Sequence, residues 1–224
     1  MTGITAVVFD LDGVLLDSEH AWHEVREELA HERGGRWHGR AQADMMGMSS
    51  LEWSRYMHDV IGLPESPEEI DAEVVRRMAA RYARELPLFE GAPEAVRRLA
   101  ESFRLGLASS SNRSLIDCVL DAASLARLFE ATVSSEEVAY GKPAPDVFIE
   151  AARRLGVPPA ACAAIEDSGN GIRSAHAAGM RVVAIPNARF PPAPEALSLA
   201  DVVVGSLAEV TVAAIAGAEP VDLS

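Results

Sequence analysis

Two carboxylates, Asp10 and Asp12, stand two residues apart directly after the apolar run at 6–9. Along an extended chain, side chains at i and i+2 point the same way, so both face the rim where a strand ends. Open parallel α/β sheets bind ligands at that rim. One carboxylate could serve as nucleophile and metal ligand while the other handles a proton, although the pattern alone also fits a surface turn or a calcium loop.

A cluster of hydroxyl groups follows a second apolar run. Residues 105–108 are apolar or glycine, and they lead into three serines and an asparagine before a predicted helix that starts near Arg113. Hydroxyls and backbone N–H groups at a helix start suit an anion, although the same residues also form an ordinary helix cap. The cluster consists of Ser109, Ser110, Ser111 and Asn112.

Two further acidic residues, Glu166 and Asp167, follow the apolar run at 163–165. Gly169 and Gly171 allow the chain to turn tightly before the next predicted helix. Acidic residues at the start of a helix are also common caps. The pattern nevertheless repeats the arrangement of a strand followed by polar side chains.

Lys142 is the only lysine among 20 cationic residues. It stands in a loop stiffened by Pro143 and Pro145, directly before a predicted helix. An ammonium is a compact charge with three donors, which can bridge a carboxylate and a phosphate oxygen. A solvent-exposed loop lysine is the alternative, but the arginine bias favours a requirement for this side chain.

Together the four segments, in this order and spacing, resemble the haloacid dehalogenase superfamily over almost the whole chain. The resemblance implies that Asp10 becomes an aspartyl phosphate and that Asp12 protonates the leaving alcohol and then activates water. A carboxylate nucleophile is already ionised at pH 7, and none of the six histidines stands in these segments. The resemblance further implies that Ser109 and Lys142 hold the phosphoryl group, and that Mg²⁺ is bound by Asp10, the main-chain carbonyl of Asp12 and Asp167, with Glu166 in support.

Composition restricts the class of protein. The 224 residues carry a formal net charge of −14, which disfavours nucleic acid and anionic membrane surfaces as partners. Two cysteines exclude a disulfide scaffold, and no apolar run reaches membrane length. We therefore expect a cytoplasmic monomer that binds a small phosphorylated metabolite.

The hydrophobic pattern predicts an α/β fold, a Rossmann-like parallel-sheet core with an inserted α-helical cap domain. We assign 1–17 and 87–224 to the core and 18–86 to the cap. Cap helices are predicted at 19–33, 42–46, 51–61 and 67–85. Core strands are predicted near 104–108, 131–134, 162–166, 181–185 and 201–204, and core helices at 92–102, 113–122, 145–155 and 168–178.

A helical cap can exclude water and contact the leaving group, so specificity is expected to depend on it. Packing within the cap is an equally good interpretation of its large side chains. The candidate contacts from the cap are Gly47, Met48, Ser50 and Trp22. On the core side the candidates for phosphate or substrate binding are Ser109, Ser110, Ser111, Asn112, Arg113 and Lys142.

The sequence resembles the helical-cap branch of the superfamily, which includes sugar-phosphate phosphatases, phosphoglycolate phosphatases and β-phosphoglucomutase. We predict a Mg²⁺-dependent phosphatase acting on a small phosphorylated metabolite such as a sugar or sugar-alcohol phosphate. A mutase is the alternative. Ser50 stands where the mutase pattern has an arginine, which favours hydrolysis, although Arg40 or Arg55 could compensate. A non-catalytic binding module on the same fold is a weaker alternative.

Overall fold

The structure is a computed structural model that describes residues 3–46, 48–187 and 189–217. A six-stranded sheet forms its centre, with strands β1 (Ala6–Phe9), β2 (Arg104–Ser109), β3 (Phe129–Ser134), β4 (Cys162–Glu166), β5 (Arg181–Ala184) and β6 (Val202–Val203). The strand order is β3-β2-β1-β4-β5-β6, and every pairing is parallel. No described helix has the length and apolar character needed to cross a membrane.

The central strand β1 carries only apolar side chains, and all four are fully buried. Val7 and Phe9 belong to one hydrophobic cluster and Ala6 and Val8 to the other, so the strand separates two apolar layers. Its last residue aligns with Leu107 of β2 and with Ile165 of β4. The three central strands therefore end close to the same level, and the residues that follow them share one edge.

Between β1 and the rest of the sheet, the described residues form helices and loops, apart from isolated bridges. The helices are α1 (Glu19–Glu32), α2 (Ala41–Met45), α3 (Ser50–Tyr56), which continues into a π-helical turn (Met57–Ile61), and α4 (Pro67–Tyr82). At the start of α4, Ser66 and Glu69 form a reciprocal capping box. The buried residues of α4 recur every four positions and pack it against α1 and α3.

The two ends of this helical segment lie side by side. The Asp17 amide donates to the carbonyl oxygen of Pro87 at 2.8 Å, and Leu16 pairs with Leu88 in an isolated antiparallel bridge. The chain therefore leaves the sheet and returns to it through adjacent segments, next to the turn that carries Asp12.

The remaining helices are α5 (Ala92–Ala100), α6 (Arg113–Ala122), α7 (Asp146–Leu155), α8 (Gly169–Ala177), α9 (Pro194–Leu197) and α10 (Val212–Ala216). They alternate with the strands, which confirms the predicted parallel α/β architecture. The predicted helix at 51–61 is divided between α3 and the π-helical turn. The predicted strand at 201–204 is shorter, because only Val202 and Val203 pair with β5.

Candidate active site

The polar residues predicted from the four segments meet at the carboxyl edge of the sheet. Asp10 and Asp12 follow β1, Ser109 ends β2, and Asp167 follows β4. The Asp10 amide donates to the carbonyl oxygen of Ile165 at 3.0 Å, which continues the ladder by one residue and keeps these loops together. A cavity of about 60 Å³ lies between this edge and the helical segment.

The turn after β1 depends on Gly13. Its φ angle of 86° lies in the left-handed region, which favours glycine. A Cβ at this position would also overlap the Asp167 carboxylate. The glycine therefore lets the loop of Asp12 lie directly against the loop that follows β4.

Lys142 is buried beside two carboxylates. Its Nζ donates to Asp10 Oδ1 at 2.6 Å, to Glu166 Oε1 at 2.5 Å and to the carbonyl oxygen of Ala108 at 3.0 Å. These contacts use all three ammonium donors. Burial lowers the pKa of Lys142, but the two carboxylates outweigh that effect and hold the pKa above its usual range. The residue therefore carries its charge at neutral pH.

Three buried carboxylates converge beside this ammonium. Oxygen atoms of Asp10, Glu166 and Asp167 lie within 4.8 Å of one another. Burial raises the pKa of Asp10 to about 8 against the opposing effect of Lys142, and Glu166 and Asp12 raise it further. Burial, Glu166 and Asp10 likewise hold the pKa of Asp167 well above its usual value. One ammonium leaves this cluster with excess negative charge, and carboxylate oxygens are the ligands that Mg²⁺ prefers, so the residues fit a divalent cation.

Glu166 differs from Asp10 and Asp167 because both of its carboxylate oxygens accept hydrogen bonds. Its Oε1 accepts from Lys142, while its Oε2 accepts from the amides of Asp167 and Ser168 and from the Ser168 hydroxyl. A Cβ on Gly171 would overlap this carboxylate, so α8 can approach it closely only because glycine stands there. Glu166 thus orients Lys142 and the loop after β4.

Asp12 accepts three hydrogen bonds. Its Oδ1 accepts from the Ser18 hydroxyl at 2.5 Å and from Trp22 Nε1 at 3.1 Å, and its Oδ2 accepts from the Ser111 hydroxyl at 2.5 Å. Trp22 lies on α1, and Ser18 directly precedes this helix. The helical segment and the serine loop therefore both hold this carboxylate in place.

The serine loop contributes hydroxyls and amides to the cavity wall. Ser109, Ser110 and Ser111 all line the cavity. Ser109 Oγ accepts from the Ser111 amide at 3.0 Å, whereas Ser110 Oγ is buried and has no hydrogen-bond partner among the described residues. A buried hydroxyl without a partner on a cavity wall suits an oxygen-rich ligand.

The helical segment closes the other side of the cavity with large side chains. Trp22 and Met48, two of the predicted contact residues, line the cavity, while Gly47 lies outside the described residues. Trp22 also packs against Trp53, with ring centroids 6.1 Å apart. The side chains on this wall are Glu19, Trp22 and Arg26 of α1, Met45, Met46 and Met48, and Trp53 of α3.

Three predicted binding residues do not line the cavity, which corrects the sequence-based expectation. The Arg113 side chain turns to Glu137 at 2.7 Å and to the Thr132 hydroxyl at 2.8 Å. Ser50 donates to Asn112 Oδ1 at 2.9 Å, so these two residues hold α3 to the start of α6. Their polar atoms are occupied by neighbouring protein groups.

Asn112 also bonds a second helix of the segment. Its Nδ2 donates to the Asp71 carboxylate on α4 at 3.0 Å and to Glu136 Oε1 at 2.9 Å. These contacts join the helical segment to the loop after β3. The residue is therefore a structural link between the two parts of the chain.

Sequence reasoning missed two charged residues on the cavity wall, Glu19 and Arg26. Both are on α1 with Trp22, at positions i, i+3 and i+7, which share one helical face. That spacing was visible in the sequence. It would have extended the prediction from Trp22 to its two neighbours on the same face.

The fold and the site combine a parallel α/β core with a carboxylate-rich centre at the sheet's carboxyl edge. The family model for haloacid dehalogenase-like hydrolases matches residues 4–179. The chain belongs to this family, as its four motifs indicated, and it is an enzyme of the family's phosphatase type.

The chain is similar along most of its length to two curated phosphatases. It is 34% identical over 232 residues to hexitol phosphatase B of Escherichia coli (strain K12), covering 93% of this chain and 95% of the relative. It is 36% identical over 213 residues to a probable pseudouridine-5'-phosphatase of Drosophila melanogaster, covering 92% and 91%.

A solved structure shows the same similarity in three dimensions. The crystal structure of CbbY from Rhodobacter sphaeroides in complex with phosphate superposes with a TM-score of 0.83 at 26% identity. The match covers 95% of this chain and 99% of that chain. The similarity therefore extends through the helical segment as well as the sheet.

Proposed function

We propose that the protein is a Mg²⁺-dependent phosphatase that hydrolyses a sugar or sugar-alcohol phosphate through an aspartyl-phosphate intermediate on Asp10. The observation that carries the proposal is the buried cluster of Asp10, Glu166 and Asp167 around Lys142, with the hydrogen-bonded carboxylate of Asp12 two residues after Asp10. Phosphoryl transfer requires mainly positioning and neutralisation of charge, which this cluster offers together with a divalent cation.

In the first step, an Asp10 carboxylate oxygen forms a bond to phosphorus while the bond from phosphorus to the leaving alcohol oxygen breaks. Asp12 gives its proton to that oxygen. In the second step Asp12 takes a proton from water, whose oxygen attacks the phosphorus of the aspartyl phosphate. Inorganic phosphate leaves and the Asp10 carboxylate is restored.

The hydrogen bonds of Asp12 indicate where its proton sits. Trp22 Nε1 can only donate, so Oδ1 must accept from it in either protonation state. The Ser111 hydroxyl at Oδ2 can donate or accept. We infer that the catalytic proton is carried on Oδ2, with Ser111 reversing its role when Asp12 is protonated.

Asp10 and Asp167, with the main-chain carbonyl of Asp12, are the residues we assign to Mg²⁺, and Glu166 supports them through Lys142 and the loop amides. The bound cation would neutralise charge on the phosphoryl oxygens and keep Asp10 ionised despite its raised pKa. Ser109 and the unpartnered Ser110 hydroxyl are assigned to the phosphoryl oxygens.

We propose that residues 18–86 act as a cap on a core formed by 1–17 and 87–224. The helical segment forms one wall of the active-site cavity and contacts Asp12 through Ser18 and Trp22, so it covers the catalytic carboxylate. The cap would therefore move to admit substrate, and the adjacent connections at Asp17 and Pro87 are the natural hinge. Closure would return Trp22 and Ser18 to Asp12 and complete the site.

A phosphosugar mutase is the second candidate, and the observation that favours it is a guanidinium on the cap side of the cavity, that of Arg26. The two arginines that could replace the mutase arginine do not reach the cavity. Arg40 is 85% exposed and pairs with Asp44, and Arg55 is exposed on α3. A cytoplasmic location, a monomeric state and the exclusion of nucleic acid stay predictions from the sequence.

The test is release of inorganic phosphate from p-nitrophenyl phosphate and from a panel of sugar and sugar-alcohol phosphates, with Mg²⁺ and with EDTA. We expect Mg²⁺-dependent release that Asp10→Asn abolishes and that Asp121→Asn, an exposed aspartate on α6, leaves unchanged. No release from any substrate would contradict the proposal and favour a binding module.

The same panel distinguishes hydrolysis from the reaction of a phosphosugar mutase. With a hexose 1-phosphate, we expect phosphate to appear in proportion to the substrate consumed. Accumulation of the 6-phosphate, accelerated by a hexose bisphosphate, would instead show that the mutase is correct.

A further inference from the structure

Arg26 is a buried cation that the four motifs do not explain. It is 5% exposed, lies about one helical turn after Trp22 on the same face of α1, and lines the cavity. Its guanidinium carbon lies 4.6 Å from the ring centroid of Trp22 and 4.7 Å from that of Trp53. Two cation–π contacts therefore hold the guanidinium in one place.

The guanidinium has five N–H donors, and none of them has an acceptor among the described residues. Its Nε is buried without a hydrogen-bond partner. Burial lowers the pKa of Arg26 to about 10, while the carboxylates of Glu19, Asp12 and Asp71 favour the charged form without contacting it. The side chain is therefore charged, and a buried charged donor without an acceptor is costly.

Glu19 offers the complementary group on the same helix. Burial raises its pKa, and only its Oε2 is engaged, by Gln42 Nε2 at 2.9 Å. Its other oxygen accepts no hydrogen bond from the part of the chain that the structure describes. The cap side of the cavity thus has donors on Arg26 and an acceptor on Glu19.

The charge of the cavity decides which ligand group suits Arg26. When Asp12 carries the catalytic proton, the carboxylates of Asp10, Glu19, Glu166 and Asp167 outnumber the cations Lys142 and Arg26 by two charges. A divalent cation and a phosphate dianion would cancel one another and leave that excess unchanged. A second anionic group would increase it, whereas hydroxyl oxygens accept hydrogen bonds without adding charge.

We propose that Arg26 is a specificity-determining residue that donates hydrogen bonds to hydroxyl oxygens of the leaving alcohol, while Glu19 accepts from those hydroxyls. The ligand class is a phosphomonoester of an uncharged polyol or sugar. This inference rests on the proposed phosphatase function and names the substrate group that the cap recognises.

The experiment measures kcat and KM for three substrates: a hexitol phosphate, an alkyl phosphate without hydroxyls and a hexose bisphosphate. Wild type is compared with Arg26→Met, which keeps an unbranched side chain between the two tryptophans, and with Arg55→Met as the matched exposed control. We expect Arg26→Met to lower kcat/KM for the hexitol phosphate by about 10- to 100-fold and that for the alkyl phosphate by less than about 3-fold. Arg55→Met is expected to behave as wild type.

A similar loss on all three substrates would show that Arg26 only packs the cap, and a loss confined to the bisphosphate would show a site for a second anion. Either result overturns the proposal. If Arg26→Met does not fold, the wild-type enzyme alone still tests the proposal. Its kcat/KM for the hexitol phosphate must then be higher than its kcat/KM for the alkyl phosphate and for the hexose bisphosphate. Activity on the alkyl phosphate without that preference refutes the inference alone, whereas no activity on any substrate refutes the proposed function.

Discussion

Replacing Lys142 by methionine should destabilise the metal-free protein by an amount that grows with pH. Methionine is of similar length and can pack against Phe148, whose ring centroid lies 5.0 Å from the ammonium. The variant therefore removes the charge with little loss of volume. It leaves Asp10, Glu166 and Asp167 together in a buried cluster without a cation.

The size of the stability loss is limited by protonation. The folded variant can relieve the repulsion between its buried carboxylates by binding one more proton than the wild type. Taking up a proton costs about 1.4 kcal/mol for each pH unit above the ordinary value of 3.8 for an aspartate. The penalty is therefore at most about 3 kcal/mol at pH 6 and about 6 kcal/mol at pH 8. The sign follows because the folded variant holds a proton that the unfolded chain releases, so stability falls as pH rises.

Urea unfolding in EDTA at pH 6 and pH 8 measures this difference, with free energies of unfolding extrapolated to zero denaturant. Arg55→Met removes an exposed cation and should change stability by less than about 0.5 kcal/mol at both pH values. A loss for Lys142→Met that is equal at pH 6 and pH 8, or below about 1 kcal/mol at pH 8, would refute the account of this cluster.

Three further outcomes are expected. Asp12→Asn should slow hydrolysis of an alkyl phosphate by about 10²- to 10⁴-fold, and that of p-nitrophenyl phosphate by less, because nitrophenolate leaves without a proton; equal losses in steady-state assays would argue against Asp12 as the acid. Mg²⁺ should raise the Tm in thermal melts more at pH 8 than at pH 6, because protons compete for Asp10, whose pKa is raised to about 8, and an equal rise would contradict this competition. Asn112→Ala should lower the free energy of unfolding in urea by about 1–3 kcal/mol, because Ser50 and Asp71 lose their partner; an unchanged value would show that this link contributes nothing.

The residues at the sheet edge could be predicted from sequence because strand ends fix them. Asp10 and Glu166 each follow or end a short buried strand, and parallel strands place such positions at one edge whatever the connecting helices do. Lys142 could be predicted from its isolation in an arginine-rich chain. Local pattern and global fold agree at these positions.

Residues on helices were harder to place because helix rotation depends on packing. Arg113 follows the serine loop in sequence, but as the first residue of α6 its side chain turns toward Glu137 and Thr132. Arg26 is sixteen positions after Asp10 and still reaches the cavity, because Val25 and Leu29 are buried and orient α1. Distance along the chain from the motifs therefore did not predict which of these two arginines lines the cavity.

The most direct test of the central claim is to find the phosphoryl group on the protein. Wild-type enzyme turning over substrate with Mg²⁺ is quenched in acid, digested and analysed by mass spectrometry. We predict one phosphoryl group on the peptide that contains Asp10, with none on Asp10→Asn, whose phosphate release should fall below about a thousandth of wild type. A phosphoryl group on another residue, or an active Asp10→Asn, would contradict the claim.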